Sequence, residues 1–498
     1  MSGNESYDVI VVGGGPAGAV MGWSLASRGI KVAVVERETF PREKVCGDFV
    51  EPAGLRILDA MGCLKSLQSR SPLPITHIAG IVNTETVYQA EIPYFDGGND
   101  LPPYGYIIPR IDFDAELIKC AGKASAVVRE GCAVKKISHE GKLKQLTVKS
   151  GKKEFTMSAP LVIGADGVAS MVARSVGRFR KDPRYISVSQ RGYVEGVSLS
   201  RGEALMWFDA DLFPGYGWMF PMADGSANVG IGILKEACQR HGLSVTDMFP
   251  LFIEKLRRHH PACADIKLLR KQDGGLVKSY ASIDSNVFDG GLLIGDAGGF
   301  ADPMTGEGIS PGMESALIAS DTIAASLEAG RFDTLFLTRY ETDYREYFDP
   351  AMRFLDFYST AVRNRYLRDY FLSVTRQGWQ EAADDPSFAQ VSGTLFGGLE
   401  LRPTAIMGQI GFKIARYLAE GATAMLQDLL MGRVRRSGGF VNDCRLWQRG
   451  MRISMLRDPR WHMAWVADIA NKAALLRWTS DNPRVRGLVR RESDNVTA

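Results

Sequence analysis

Four stretches of the chain are apolar and rich in β-branched residues without alternation: DVIVV (8–12), KVAVVE (31–36), PLVIG (160–164) and GLLIG (291–295). Strands covered on both faces read this way, because helices bury each side of a parallel sheet. A helix-length run ending at Gly29 separates the first two, and a long helical run to Gly330 follows the last. That order predicts an α/β fold with a doubly wound parallel sheet. PGYGWMFP (214–221) is different, alternating aromatic residues with glycine between two prolines. Glycine and proline weaken a strand unless a bend or a close approach is wanted, so this segment should lie against something flat or bulky. Beyond residue 345, the stretches 348–374 and 403–432 carry apolar residues at helical spacing and read as amphipathic helices.

The first strand runs into Gly13, Gly15 and Gly18 in GxGxxG spacing, and the second ends at Glu36, about 20 residues on, as a dinucleotide site requires. Gly13 makes the tight turn, Gly15 lets a pyrophosphate approach the backbone, and Gly18 lets helix and strand pack closely. The helix N-terminus faces the phosphates, and Glu36 can accept from a ribose hydroxyl. Strand, glycine turn, helix, second strand and acidic residue fall in order, which a bare glycine motif does not.

With 498 residues the chain has room for two or three domains, and 45% hydrophobic with 23% charged residues describes a folded globular protein. The net charge of +3 gives no reason to expect nucleic acid as a partner. Seven scattered cysteines without a CxxC pair argue for reduced thiols in a cytoplasmic compartment, against a disulfide framework and against structural zinc. The polar start MSGNESYD predicts no signal peptide, and no apolar run of about 18 residues predicts a spanning helix, leaving a membrane-surface role open. Six histidines show no metal-ligand spacing and no Ser-His-Asp context appears, so a bound cofactor must carry the chemistry.

From residue 431 onward, fourteen Arg and Lys face six Asp and Glu, among Trp447, Trp461, Trp465 and Trp478. This basic end fits an anionic membrane surface or an acyl-carrier partner; its other reading is a helical cap over the substrate channel with a solvated face.

Two further segments identify the nucleotide. Residues 159–177 end a strand in Gly164-Ala165-Asp166-Gly167, and residues 290–330 place Gly295-Asp296 before a glycine-rich turn and a helix. The chain here resembles the para-hydroxybenzoate hydroxylase superfamily of FAD-dependent oxidoreductases, known for an N-terminal GxGxxG, an internal DG and a late GD. The resemblance spans roughly residues 7–330 and implies FAD. Asp296 would bind a ribityl hydroxyl, and the Gly306–Gly312 segment would offer amides and a helix dipole to the flavin pyrimidine. PREKVCG (41–47) and YGWMFP (216–221) resemble the geranylgeranyl reductase branch, which carries a PRxKxCG segment and a YxWxFP motif.

The resemblance implies an FAD-binding domain from residues 1–75, 100–180 and 285–345, and an interleaved α+β substrate domain with an antiparallel sheet from 76–99 and 181–284. A helical C-terminal extension covers 346–498. It marks Gly13, Gly15, Pro16, Ala17, Gly18, Glu36, Arg37, Lys44, Cys46 and Gly47 as cofactor-binding. Arg110, Asp166, Gly167, Gly295, Asp296, Pro303, Gly306, Gly308 and Ile309 complete that set. Cys46, Tyr216 and Trp218 are the candidate catalytic residues, with Phe220 joining the two rings against the substrate. Each has a plainer reading: an inert buried thiol for Cys46, sheet packing for the aromatics, a surface salt bridge for Arg110, a solvated loop charge for Arg42.

The expected activity is hydride transfer from reduced FAD to a C=C bond of a large apolar, isoprenoid or polyene-like substrate. NAD(P)H acting transiently, or a separate flavin- or ferredoxin-type reductase, would supply electrons, since no second GxGxxG unit is visible. The alternative is a flavin monooxygenase working through the C4a-hydroperoxide, which would hydroxylate or epoxidise an isoprenoid or polyketide in secondary metabolism. A flavin-dependent halogenase is a lesser alternative, because WxWxIP is not present, residues 70–100 hold no lysine, and Lys65 reads as a surface charge. A non-catalytic prenyl-lipid carrier with structural FAD is the remaining class.

Overall fold

The structure is a computed structural model. It describes residues 4–92 except 71, 101–384 except 142, 200, 201, 271, 272 and 281, 416–431 except 418, 425 and 429, and 438–476.

The apolar runs form a six-stranded sheet in the order Val287–Phe288, Gly291–Leu293, Leu161–Gly164, Val9–Val12, Val32–Val35, Val127–Arg129. All but the first strand run parallel. Every residue of Val9–Val12 and Val32–Val35 is buried, so both faces must be covered. Helices Pro16–Ser27, Arg110–Lys123 and Ile309–Ala329 cover one face, and a meander of Ala133–Glu140, Leu143–Ser150 and Lys153–Ala159 covers the other.

An eight-stranded sheet joins Lys267–Leu268, Ile186–Glu195, Ala227–Leu234, Tyr216–Pro221, Glu203–Phe208, His77–Val82 and Glu85–Glu91, with Asp273–Lys278 also paired to Ile186–Glu195. Its central strand explains PGYGWMFP. Alternation sends Tyr216, Trp218 and Phe220 to the cavity side and Met219 to the core under helix Val245–His259. The glycines make room for rings. A Cβ on Gly230 of the neighbouring strand would lie 2.1 Å from the Trp218 indole, and one on Gly217 would lie 2.3 Å from Phe252.

The run at 348–374 is not one helix. Helix Thr334–Val362 stops, a 3₁₀ turn spans Arg365–Leu367, and helix Arg368–Asp384 turns back. Asn364 makes the break, its side chain accepting from the Tyr366 amide and donating to Ser454 Oγ at 3.0 Å. Helices Gly438–Arg457 and Pro459–Ala474 complete the extension. They are clasped rather than loosely apposed: Lys472 Nζ reaches Asp356 at 2.6 Å and Thr360 at 2.7 Å, and Arg363 pairs with Asp468 at 2.6 Å. Arg240 and Glu236 of the substrate-sheet side bind Asp458 and Trp461. Trp465 is buried with its indole N–H on the Thr360 carbonyl, whereas Trp447 is exposed. Residues 403–415 and 432 of the second amphipathic run, and Trp478, lie outside the described residues. No helix among the described residues is long and apolar enough to cross a membrane.

Candidate active site

A continuous cavity of ≈ 1220 Å³ runs between the parallel sheet and the aromatic strand. It exceeds the roughly 300–1,000 Å³ of a one-ligand site, leaving room for a dinucleotide and a second molecule. Every residue expected at the cofactor or the substrate lines it except Gly18, which lies behind the wall.

The cradle is open where a ligand belongs and closed where packing demands. Gly13 has φ +107°, and a Cβ there would come within 2.3 Å of the Ala165 carbonyl oxygen. A Cβ on Gly18 would lie 1.9 Å from Gly13 O, so the glycine sets the helix-to-turn distance. At Gly15 the nearest atom to a Cβ is Arg42 Nη2 at 3.6 Å, and at Gly167 and Gly306 nothing stands within 4 Å. These open glycines, at the N-terminus of helix Pro16–Ser27 and around the opposite wall, fit the extended outline of FAD. Glu36 ends its strand buried, held by the amides of Gly14 at 2.8 Å and Glu38 at 3.0 Å. Arg37 is solvent-facing at the rim and pairs with Glu38.

Asp166 faces the wall and caps helix Met171–Ser175, accepting from Ser170 Oγ and, at 2.6 Å, the Met171 amide. Asp296 lies in the opposite turn, next to Gly308, the N-cap of helix Ile309–Ala329. Burial pushes its carboxyl up, and Lys44, Arg110 and Lys278 pull it back. The helix dipole is not free as expected, because Glu307 Oε1 accepts from the first two amides, Ile309 at 2.8 Å and Ser310 at 2.9 Å.

Arg110, expected at the cofactor, and Arg42, read as a solvated loop charge, are both inside. Arg110 is buried and binds Asp114 through both forks, Nε–Oδ1 at 2.6 Å and Nη2–Oδ2 at 2.8 Å. Arg42 is not a solvated loop charge: its Nη1 stands 3.1 Å from the same carboxylate and its Nη2 3.7 Å from Glu36. Asp114 thus holds two guanidiniums, one of which also contacts the Cys46 thiol.

Cys46 is unpaired and borders the cavity. Burial raises its pKa, so the sulfur is held as a neutral thiol. A polar chain ties this loop to the aromatic strand. Trp218 Nε1 donates to Asn228 Oδ1 at 2.9 Å, and Asn228 Nδ2 donates to Cys46 O at 2.9 Å and Asp48 Oδ2 at 2.8 Å. Tyr193 donates to the same Asp48 oxygen. Tyr216 donates to the Thr305 carbonyl and stacks on Phe208, ring centroids 5.6 Å apart. The Trp218 and Phe220 rings lie 6.3 Å apart at 26°, so the three aromatics form one continuous face.

Beside that face, Glu51 and Glu307 both line the cavity. Enclosure raises both carboxyls, with Asp302 and Glu314 adding like charge; Glu307 is pushed up to about 8. The folded protein therefore keeps a proton that an unfolded chain gives up near 4.5, and loses that stabilisation as pH rises toward about 8. Glu307→Gln should flatten this decline: urea midpoints of the apoprotein would favour the variant above about pH 8 and converge toward about pH 5. Parallel pH slopes would refute it.

Sequence reading missed Asp48, Glu51, Asp114, Asn228 and Glu307 as site residues. Only Asp114 carried a usable signal, its i+4 spacing from Arg110. Behind the lining, burial lowers Lys278 to about 8 against the pull of Asp296 and Asp166; its Nζ stands 5.6 Å from the Phe179 ring centroid and makes no hydrogen bond among the described residues. Lys65 is exposed on helix Leu64–Gln68, outside the cavity lining.

Comparison with known proteins agrees with this geometry. The FAD binding domain family matches residues 6–354. Menaquinone reductase of Mycobacterium tuberculosis is 29% identical over 353 residues, 68% of this chain and 82% of that protein. Digeranylgeranylglycerophospholipid reductase 2 of Methanothermobacter thermautotrophicus is 30% identical over 351 residues, 68% of this chain and 83% of that protein. A geranylgeranyl bacteriochlorophyll reductase-like structure from Thermoplasma acidophilum shares the fold, with TM-score 0.65 and 21% identity over 82% of this chain and 99% of that one. The chain belongs to the FAD-binding-domain family of FAD-dependent oxidoreductases, in its geranylgeranyl reductase-like branch.

Proposed function

We propose that the protein reduces a carbon–carbon double bond in a long isoprenoid chain. The observation carrying this reading is the uninterrupted aromatic face of Tyr216, Trp218 and Phe220 across one cavity from the glycine cradle. The names of its relatives, reductases of prenylated lipids and quinones, point the same way. Flat rings bind a polyene without asking it for hydrogen bonds.

FAD, when bound and reduced, supplies a hydride equivalent. The N-terminus of helix Pro16–Ser27 would hold the pyrophosphate, Glu36 a ribose and Asp296 the ribityl chain. Tyr216 and Trp218 orient the alkene, each fixed by its own hydrogen bond, to Thr305 O and Asn228. Saturating the bond also takes one proton. Glu51 and Glu307 hold protons at the cavity wall, and Glu307 Oε2 makes no other hydrogen bond among the described residues. NAD(P)H or a separate reductase would reload the flavin.

The test is single turnover. Photoreduced enzyme is mixed without oxygen with geranylgeranyl diphosphate, and the product is analysed by mass. Reoxidation of the flavin with a gain of two hydrogens in the product is expected. An inert mixture that, on admission of oxygen, yields a product carrying an added oxygen atom would replace this reading with a monooxygenase.

A further inference from the structure

The family match ends at residue 354, yet the cavity wall continues beyond it through Tyr358, Ser359, Val362, Phe371, Leu372 and Thr375. The flavin cradle therefore lies on the shared part of the chain, and the far wall on the extension. The break at Asn364 makes this possible by folding helix Arg368–Asp384 back beside helix Thr334–Val362. The Tyr358 hydroxyl and Thr375 then meet across the two helices.

The wall is solid behind its lining. Phe371 stacks on Phe213 of the substrate side, centroids 6.0 Å apart at 20°. Leu372 packs with Phe213, Val82, Val87, Tyr88 and Trp379 in one apolar cluster. Trp379 fills the space over Gly80, where a Cβ would come within 2.3 Å of the indole, and lies 5.8 Å from the Tyr88 ring. A chain running from the aromatic face past Phe208 and Phe213 thus meets, among the described residues, a packed apolar surface.

We propose that Phe371 and Leu372 are the stop that sets the length of substrate the cavity accepts. The inference rests on the isoprenoid reading above. It assigns chain-length specificity to the extension and leaves flavin binding to the family domain.

The experiment uses the full-length holoprotein and prenyl alcohols of increasing length, geraniol, farnesol, geranylgeraniol and geranylfarnesol, with binding read from perturbation of the bound-flavin absorbance. In the parent protein, affinity should rise with length and then stop rising. Leu372→Ala should move that limit to the next longer alcohol, which binds about tenfold tighter than to the parent, at unchanged flavin content. Leu372→Phe guards against a variant that fails to fold: it should weaken the longest accepted alcohol about tenfold and leave geraniol unaffected. Unchanged length profiles in flavin-replete variants would overturn the stop while leaving the isoprenoid reading intact. A parent flavin that responds to no prenyl alcohol would overturn both.

Discussion

The Gly18→Ala variant should purify without flavin. Its new methyl would sit 1.9 Å from the Gly13 carbonyl oxygen and 3.3 Å from Ala165 Cβ. The first of these is backbone, and no rotamer relieves it. Helix Pro16–Ser27 must back away from the turn, carrying its N-terminal amides away from the pyrophosphate. Overpacking of this kind costs about 1–3 kcal/mol, or about five- to 150-fold in affinity if it falls on the bound state. Gly22→Ala is the control. Its Cβ would meet Val34 Cγ2 at 2.5 Å, a side-chain atom of strand Val32–Val35 rather than the backbone of the glycine turn, so stability should fall while flavin affinity holds. The flavin-to-protein absorbance ratio and titration of the apoprotein decide it; full flavin content in Gly18→Ala would refute the argument.

Asp114→Ala should be the most destabilising single change at the site. The carboxylate is 0% exposed and faces Arg110 through two hydrogen bonds and Arg42 through a third contact. Removing it leaves Arg110, itself buried, without its counter-ion, and breaking a buried pair costs about 3–5 kcal/mol. Asp114→Asn keeps the shape and one acceptor and should fall between. Urea unfolding of the apoprotein measures this directly, and a midpoint equal to the parent's would show that water already compensates the guanidiniums.

The parallel sheet and its glycine turn were legible because their physics is local: continuous apolar runs and backbone positions that tolerate no side chain. The aromatic strand was legible for the same reason, although its Gly217 proved to make room for the Phe252 ring, and Gly230 of the neighbouring strand for Trp218. What stayed hidden depends on partners far away in sequence. Arg42 looks like a loop charge until Asp114, 72 residues on, is brought to it. Asn228 looks like an interruption in an apolar strand until Cys46, Asp48 and Trp218 surround it. The helical reading of 348–374 had the right periodicity but not the break at Asn364, whose side chain caps the Tyr366 amide and also reaches Ser454, 90 residues on.

The clasp of the extension has a consequence for how the protein is made. Lys472 and Asp468, which lock the helix carrying Tyr358, leave the ribosome more than 100 residues after that helix ends at Val362. The parallel sheet and the helices that cover it, including helix Thr334–Val362 whose Tyr340 donates to Leu293 O, are complete at Val362. At about 5–20 residues per second, that half can fold and take up its nucleotide roughly 5–20 s before the far wall is secured. Each molecule would therefore be a flavoprotein before it is a selective one, and whatever apolar molecule it meets in that interval meets an open groove.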